Sequence, residues 1–291
     1  MPELPEVEVT RRGLLQDLPG AVVERVWTSG LPLRATVSQP RLRRYLQGER
    51  ITTVDRRAKY LLFRFAGGAV CTVHLGMTGK ISLRPQEEPR HKHDHLELAL
   101  ENGIALRFND ARRFGAVLLW PANKAEEYEQ DFSSREGLEP LGPDFSALAL
   151  QRLAAGRRMP LKSFLMNGRL IAGIGNIYAN EILFAAGLHP QQPAGSLAPA
   201  DWERLALAAV RILEEAISAG GSTIADFLGA SGHPGYFQLQ LKVYGRKDEA
   251  CPQCDAALTR IILGGRSTWF CPRCQPLQHL PLQHQPKKRK A

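Results

Sequence analysis

Residues 60–75 read Tyr60-Leu61-Leu62-Phe63-Arg64-Phe65-Ala66-Gly67-Gly68-Ala69-Val70-Cys71-Thr72-Val73-His74-Leu75. Two runs of β-branched, aromatic and aliphatic residues are separated by Gly-Gly, which supplies the backbone freedom of a tight hairpin. Working outward, Val22-Val23-Glu24-Arg25-Val26 is a further strand candidate. Leu96-Glu97-Leu98-Ala99-Leu100 and Ile104-Ala105-Leu106-Arg107-Phe108 flank a second hairpin signal at Asn102-Gly103. Residues 20–120 therefore predict an antiparallel sandwich or barrel. Ahead of it, residues 7–18 carry apolar side chains at Val7, Leu14, Leu15 and Leu18 and stop at Pro19-Gly20. That segment predicts a helix, with Pro5 near its start, where proline is best tolerated.

From about residue 125 the apolar period becomes helical. Asp201 to Leu213 has an acidic first turn followed by Ala and Leu, strong helix formers. Asp144 or Ser146 is placed to cap a helix reaching about Ala155. Residues 191–199 read as a loop. Residues 220–235 hold five glycines and a proline, the composition of a long loop, and long loops inside compact domains are usually functional or disordered. The 291 residues, 44% hydrophobic and 23% charged, give room for about two globular domains. No run approaches the roughly 18 apolar residues of a membrane-spanning helix. The opening Met-Pro-Glu-Leu-Pro-Glu is unlike a secretory signal, so a cytoplasmic location is expected.

Lys and Arg number 38 against 29 Asp and Glu, a net charge of +9 that points to an anionic partner. The excess is uneven. Residues 241–291 hold ten basic and three acidic side chains, four of the basic ones in Lys287-Lys288-Arg289-Lys290. Residues 150–170 contain Arg152, Arg157, Arg158, Lys162 and Arg169 without an acid, inside a region that is otherwise net acidic. Next comes Leu170-Ile171-Ala172-Gly173-Ile174-Gly175-Asn176-Ile177-Tyr178, a glycine-spaced turn leading into a helix that begins near Asn176. The spacing fits a DNA-binding helix-turn-helix with a phosphate at the helix N-terminus. It fits equally an αα-hairpin whose glycines permit close packing.

Arg112-Arg113-Phe114-Gly115 could be a groove-inserting wedge, with Phe114 filling an opened base step; it could also be a surface turn whose phenylalanine enters the core. At the N-terminus, removal of Met1 would leave Pro2 as a secondary amine. Attack of that amine on an aldehyde-like carbon gives a cationic iminium, an electron sink. Glu3 and Glu6 share a helix face near it, either as acid/base groups or simply as capping acids. Cys251-Pro-Gln-Cys254 and Cys271-Pro-Arg-Cys274 have zinc-ribbon spacing, predicting one structural zinc ion per chain rather than disulfides or redox pairs. Cys71 reads as a small core residue.

Together these motifs resemble the bacterial formamidopyrimidine-DNA glycosylase family. The resemblance rests on Pro2-Glu3-Leu4-Pro5-Glu6-Val7-Glu8, His74-Leu75-Gly76-Met77-Thr78-Gly79, Lys92-His93-Asp94-His95, Arg112-Arg113-Phe114-Gly115, Gly175-Asn176-Ile177-Tyr178-Ala179 and the four cysteines. It runs from Pro2 to about Gln275. It implies an α+β multidomain chain: an N-terminal antiparallel β-sandwich with an N-terminal helix over 1–125, a helical helix-two-turn-helix domain over 126–240, a zinc-ribbon hairpin over 241–275, and a basic tail over 276–291. It implies a bifunctional glycosylase/AP lyase that removes oxidised purines by a Pro2 Schiff base and nicks the strand by β,δ-elimination.

By the same resemblance Glu3 is the acid/base and Glu6 supports its pocket. Lys59 assists β-elimination and Arg266 assists δ-elimination. Met77, Arg112 and Phe114 fill the space left by the everted base. His74, His93, Arg157, Lys162 and Asn176 contact the DNA backbone, and the 220–235 loop closes over the base. The partner implied is damaged double-stranded DNA, bound by a monomer in the cytoplasm near the bacterial nucleoid, with no membrane. The chain departs from many relatives at Leu165-Met166-Asn167-Gly168, where an acidic-amide pair is common. Rival readings are an oxidised-pyrimidine glycosylase and a catalytically silent zinc-dependent DNA-binding protein.

Overall fold

The computed structural model describes residues 2–221 and 241–277. Within them the order is α1 (Leu4–Leu14), β1 (Val23–Thr28), α2 (Gln39–Leu46), β2 (Ile51–Arg57), β3 (Tyr60–Phe65), β4 (Val70–His74), β5 (Lys80–Pro85), β6 (Asp94–Leu100), β7 (Ile104–Asn109), β8 (Ala116–Trp120) and α3 (Ala125–Arg135). There follow α4 (Ala147–Ala154), α5 (Leu161–Leu165), α6 (Asn176–Ala186), α7 (Pro199–Ser218), β9 (Thr259–Leu263) and β10 (Arg266–Phe270). The chain divides into two compact units. One holds the residues up to Gly142 with 167–174 and 211–221; the other holds 143–166, 175–210 and 241–277.

The first unit is a sandwich of two four-stranded antiparallel sheets, ordered β1-β6-β7-β5 and β2-β3-β4-β8. The predicted hairpin is β3–β4, with Phe63 opposite Cys71, and the second is β6–β7. The sandwich, not the barrel, is therefore the outcome. Val26, Ile81, Leu98, Leu106 and Phe108 meet Ile51, Val54, Leu61, Phe63, Val73 and Val117 in its core, and Val7 and Leu14 of α1 join them. All five residues of β4 are buried, because the second face of its sheet is also covered. There Leu62, Val70 and Trp120 pack with Ala125, Tyr128 and Phe132 of α3. Strands buried on both faces lose alternation, so β4 shows no exposed face even at Thr72 and His74.

In the second unit α6 is buried along nearly its whole length. Phe164 of α5 stacks edge-on against the fully buried Trp202 of α7 at 5.7 Å. Ser146 caps α4 by accepting the Ala149 N–H at 3.2 Å, which settles the choice between Asp144 and Ser146. Leu263 pairs with Arg266, so β9 and β10 are joined by the two-residue turn Gly264-Gly265. Phe184 and Val243 pack with Leu258 and the cysteines in a separate small core. Most of the 220–235 loop and of the 276–291 tail lies outside the described residues.

Candidate active site

In the first unit, α1 begins at Leu4 because Glu3 caps it. The Glu3 backbone is extended, and the Glu6 carboxylate accepts its N–H at 2.8 Å, closing a reciprocal capping box. Both carboxylates are buried, Glu3 at 2% exposure. The two readings of this pair are therefore compatible: the box that starts the helix also holds two buried carboxylates immediately behind Pro2. The next turn is tied down by Gly173, whose carbonyl accepts the Leu4 N–H at 3.0 Å.

Glu8, one helical turn on, accepts hydrogen bonds from Arg11, Arg12 and Arg56. Burial pushes its carboxyl up. The hydrogen bonds from Arg11 and Arg12 and the charges of Arg11 and Arg56 outweigh that and hold it at about 2. Arg56 also reaches Glu139 at 2.9 Å, and Arg57 reaches it at 2.8 Å. The same Glu139 carboxylate accepts the N–H of Ala58, which sits at φ +53° in the turn before Lys59. A non-glycine residue in that region costs about 1 kcal/mol or more. Here the cost is borne because a charged acceptor pins the turn. Lys59 is half-buried, and its charge is felt at His74.

His74 ends β4, with its ring 4.7 Å from Tyr60. Its Nδ1 accepts the Gly76 N–H at 2.9 Å, which leaves the proton on Nε2. Burial, then the charges of Arg34 and Lys59, hold its pKa down at about 4 against a weaker opposing effect of Asp110. It is thus a neutral donor at physiological pH, not a cation.

Met77 and Phe114 are exposed at 40% and 45%, and the Arg112 guanidinium lies 4.6 Å from the Phe114 ring centre. The alternative in which Phe114 enters the core does not hold. Their two loops are stitched together. Asp110, fully buried, accepts from the Thr78 hydroxyl at 2.5 Å and from the Gly115 N–H at 2.7 Å, and Thr78 Oγ1 accepts the Arg112 N–H. The backbones approach so closely that a Cβ on Gly76, at φ +67°, would lie 2.5 Å from the Gly115 nitrogen. His93 is half-buried, and its carbonyl accepts the Asp110 N–H.

The remaining candidates belong to the second unit. Arg157 is exposed after α4, its Nε bonded to the Leu153 carbonyl at 2.6 Å. Asn176 opens α6; its Nδ2 donates to the Ser267 carbonyl at 3.2 Å, and its Oδ1 is buried with no hydrogen-bond partner among the described residues. Arg266 is exposed at the start of β10. Lys162, expected to contact a phosphate, lies inside the protein. It is 1% exposed, and its Nζ donates to the Ser267 carbonyl at 2.9 Å and to Thr268 Oγ1 at 2.7 Å. α6 holds the same region through two further residues. Asn180 Oδ1 accepts the Trp269 N–H, and the buried Glu181 carboxylate accepts the N–H groups of Lys242, Val243 and Tyr244 at 2.9–3.0 Å.

The four cysteine sulfurs gather within 4.8 Å of one another, with Cys251–Cys274 at 3.8 Å and Cys254–Cys271 at 3.5 Å. A tetrahedron of Zn–S bonds of about 2.3 Å has S···S edges of about 3.8 Å. Four soft thiolates at that spacing fit one structural zinc ion. Asp110, Glu139, Asn180 and Glu181 escaped the sequence reading. Each acts on backbone or side chains remote in sequence, and only Asp110, beside the Arg-Arg-Phe motif, had a local signal.

Three family models match the chain: the formamidopyrimidine-DNA glycosylase N-terminal domain over residues 1–117, the formamidopyrimidine-DNA glycosylase H2TH domain over 137–227, and a zinc finger found in FPG and IleRS over 248–277. Formamidopyrimidine-DNA glycosylase of Halorhodospira halophila is 46% identical over 275 residues, 94% of this chain and all of that protein. The Stutzerimonas stutzeri protein of the same name is 47% identical over the same shares. A Lactococcus lactis Fpg solved with DNA containing an abasic site superposes with a TM-score of 0.86 at 32% identity, over 94% of this chain and 99% of that one. The same bacterium's Fpg solved with DNA containing an oxidised pyrimidine gives a TM-score of 0.85 at 33% identity, over 94% of this chain and all of that one. With its N-terminal domain, its H2TH domain and its zinc finger each matched, and relatives aligned along 94% of its length, the chain belongs to the formamidopyrimidine-DNA glycosylase family.

Proposed function

We propose that this protein is a bifunctional DNA glycosylase and AP lyase of base excision repair, acting on oxidised purines in double-stranded DNA. The observation that carries the reading is the head of α1. Two buried carboxylates, one capping the other's N–H, stand directly behind Pro2. Binding DNA has no use for that arrangement, which counts against a silent DNA-binding protein.

Once Met1 is removed, the Pro2 nitrogen has a lone pair. It attacks C1′ of the damaged nucleotide, forming a C–N bond as the N-glycosidic bond breaks and the base leaves with a proton. Glu3 moves protons between the opening sugar ring and the leaving base, with Glu6 fixing the Glu3 backbone. The resulting iminium makes the C2′ proton acidic. Loss of that proton expels the 3′ phosphate, and a second elimination expels the 5′ phosphate. Lys59 serves the first elimination and Arg266 the second.

The target must leave the stack before the amine can reach it. Met77, Arg112 and Phe114 fill the vacated step, and the Arg112–Phe114 stack stiffens the wedge. Arg157, His93, Asn176 and neutral His74 bind the DNA backbone. The zinc ion, held by Cys251, Cys254, Cys271 and Cys274, fixes the β9–β10 hairpin. Among the described residues no helix is long and apolar enough to cross a membrane; we place the protein in the bacterial cytoplasm, working on the chromosome.

Borohydride trapping on a duplex with 8-oxoguanine opposite cytosine tests the reading. A covalent adduct is expected from the processed protein. None should form when extra residues precede Pro2, because its nitrogen is then an amide. No adduct from processed protein overturns the enzyme reading, and an adduct in the extended variant overturns Pro2 as nucleophile. The Lactococcus lactis complex with an oxidised pyrimidine makes thymine glycol and dihydrouracil the informative competitors. Faster excision of either would move the substrate class to pyrimidines.

A further inference from the structure

We infer that Lys162 is a positioning residue that sets the place of Arg266 through a buried hydrogen-bond relay, and that it does not contact DNA. The inference rests on the proposed function only for what Arg266 does; the relay itself stands on geometry. Lys162 lies on α5, 1% exposed, among the most deeply buried of the large side chains. Its ammonium donates to Thr268 Oγ1 at 2.7 Å, and the Thr268 hydroxyl donates onward to the Arg266 carbonyl at 3.2 Å. A second ammonium hydrogen goes to the Ser267 carbonyl, which also receives Asn176 Nδ2. The Trp269 N–H goes to Asn180. Four consecutive residues of β10, from Arg266 to Trp269, are thus held by side chains of α5, α6 and the strand itself.

The chemistry favours this role over a phosphate contact. A buried ammonium is tolerated when acceptors satisfy it, and Lys162 has oxygen partners inside the protein. A phosphate ligand must present its charge to solvent in the free protein or uncover it on binding. Uncovering Lys162 would break the bonds that locate Arg266. Thr268, at 0% exposure, cannot touch DNA at all, yet it carries the middle of the relay. That separates the two roles experimentally.

Lys162→Met and Thr268→Val are compared with the unmodified full-length protein on the same lesion duplex. The positioning role predicts that both variants lower the ratio of δ- to β-elimination product about tenfold, since an ångström of misplacement costs one to two orders of magnitude. Both should speed hydrogen exchange across β9–β10 and share one salt dependence of DNA binding. A direct phosphate contact predicts instead that Lys162→Met alone loses about one unit of log–log salt slope while Thr268→Val behaves normally. That pattern, or unchanged exchange in both variants, overturns the inference. If Lys162→Met does not fold, Thr268→Val, close to isosteric, decides alone. Hydrogen exchange and salt slope need no turnover, so absence of any trapped adduct in the unmodified protein would sink the proposed function without touching this test.

Discussion

Gly173→Ala is expected to damage the head of α1 from a position 169 residues away in sequence. Gly173 sits at φ +79°, and a Cβ there would lie 2.7 Å from both Cβ and Cδ1 of Leu4 and 3.1 Å from its Cγ. Leu4 is fully buried and cannot swing into solvent. The left-handed backbone costs alanine about 1 kcal/mol, and forcing a methyl into a filled site costs about 1–3 kcal/mol more. A loss of about 3 kcal/mol in urea unfolding is expected. The Gly173 carbonyl also holds the Leu4 N–H, so relief of the clash moves the turn that carries Pro2 and Glu3. Single-turnover trapping should slow by about 10- to 100-fold. Adding Leu4→Ala removes the clashing Cδ1 and Cγ and leaves only the Cβ contact, which relieves the crowding in part. The double variant should therefore be more stable than the two single losses added together, by about 1–2 kcal/mol. Stability within about 0.5 kcal/mol of the unmodified protein, with trapping at the normal rate, would refute the reasoning.

Glu8→Gln should cost about 2 kcal/mol at neutral pH. Its carboxyl is held at about 2 against an ordinary 4.5, so the stabilisation is present above pH 4.5 and fades as pH falls toward 2; the deficit of the variant should fade over the same range. His74 has the opposite charge logic. Its pKa is lowered to about 4, so the unfolded chain takes up the proton first and stability falls as pH drops from about 6.5 to 4. His74→Gln should flatten that slope, and DNA affinity should gain nothing from His74 between pH 7.5 and 5.5; a wild-type slope in the variant counts against the assignment. Zinc near one per chain is expected by elemental analysis. Chelation or Cys254→Ser should abolish lesion binding with loss of order in β9–β10, and full binding by metal-free protein would exclude the structural role.

The core and the chemistry of the candidate groups were unequally legible in the sequence. β-branched and aromatic residues marked β1, β3 and β4, and the Asn102-Gly103 turn between alternating runs marked β6 and β7. These signals did not single out β2, β5 or β8: Asp55, Arg56 and Arg57 end β2 and Lys80 and Arg84 lie in β5, while Ala116-Val117-Leu118-Leu119-Trp120 of β8 is apolar throughout and shows no alternation. The cysteine spacing announced its metal, because ligand geometry is local to two tight turns. The exposure of Phe114 was not legible, since a phenylalanine beside two arginines satisfies either a wedge or a core anchor. The buried Asp110 and the close pass of Gly76 decide it by leaving the loop no room to turn inward.

By itself, the sequence determined which groups are present: a proline that can become a terminal amine, paired carboxylates at helical spacing, four thiols, and a basic stretch over 150–170. Those are properties of residue type and short spacing, and no fold is needed to state them. The tertiary structure decided which charges face outward. Lys162 reads as one more cation in a basic run, yet it is buried under β10. Glu139 carries no signal in the sequence, yet it pins the turn before Lys59 from 81 residues away. A charge taken out of water must find its partner in three dimensions, and that partner leaves no periodic trace in the chain.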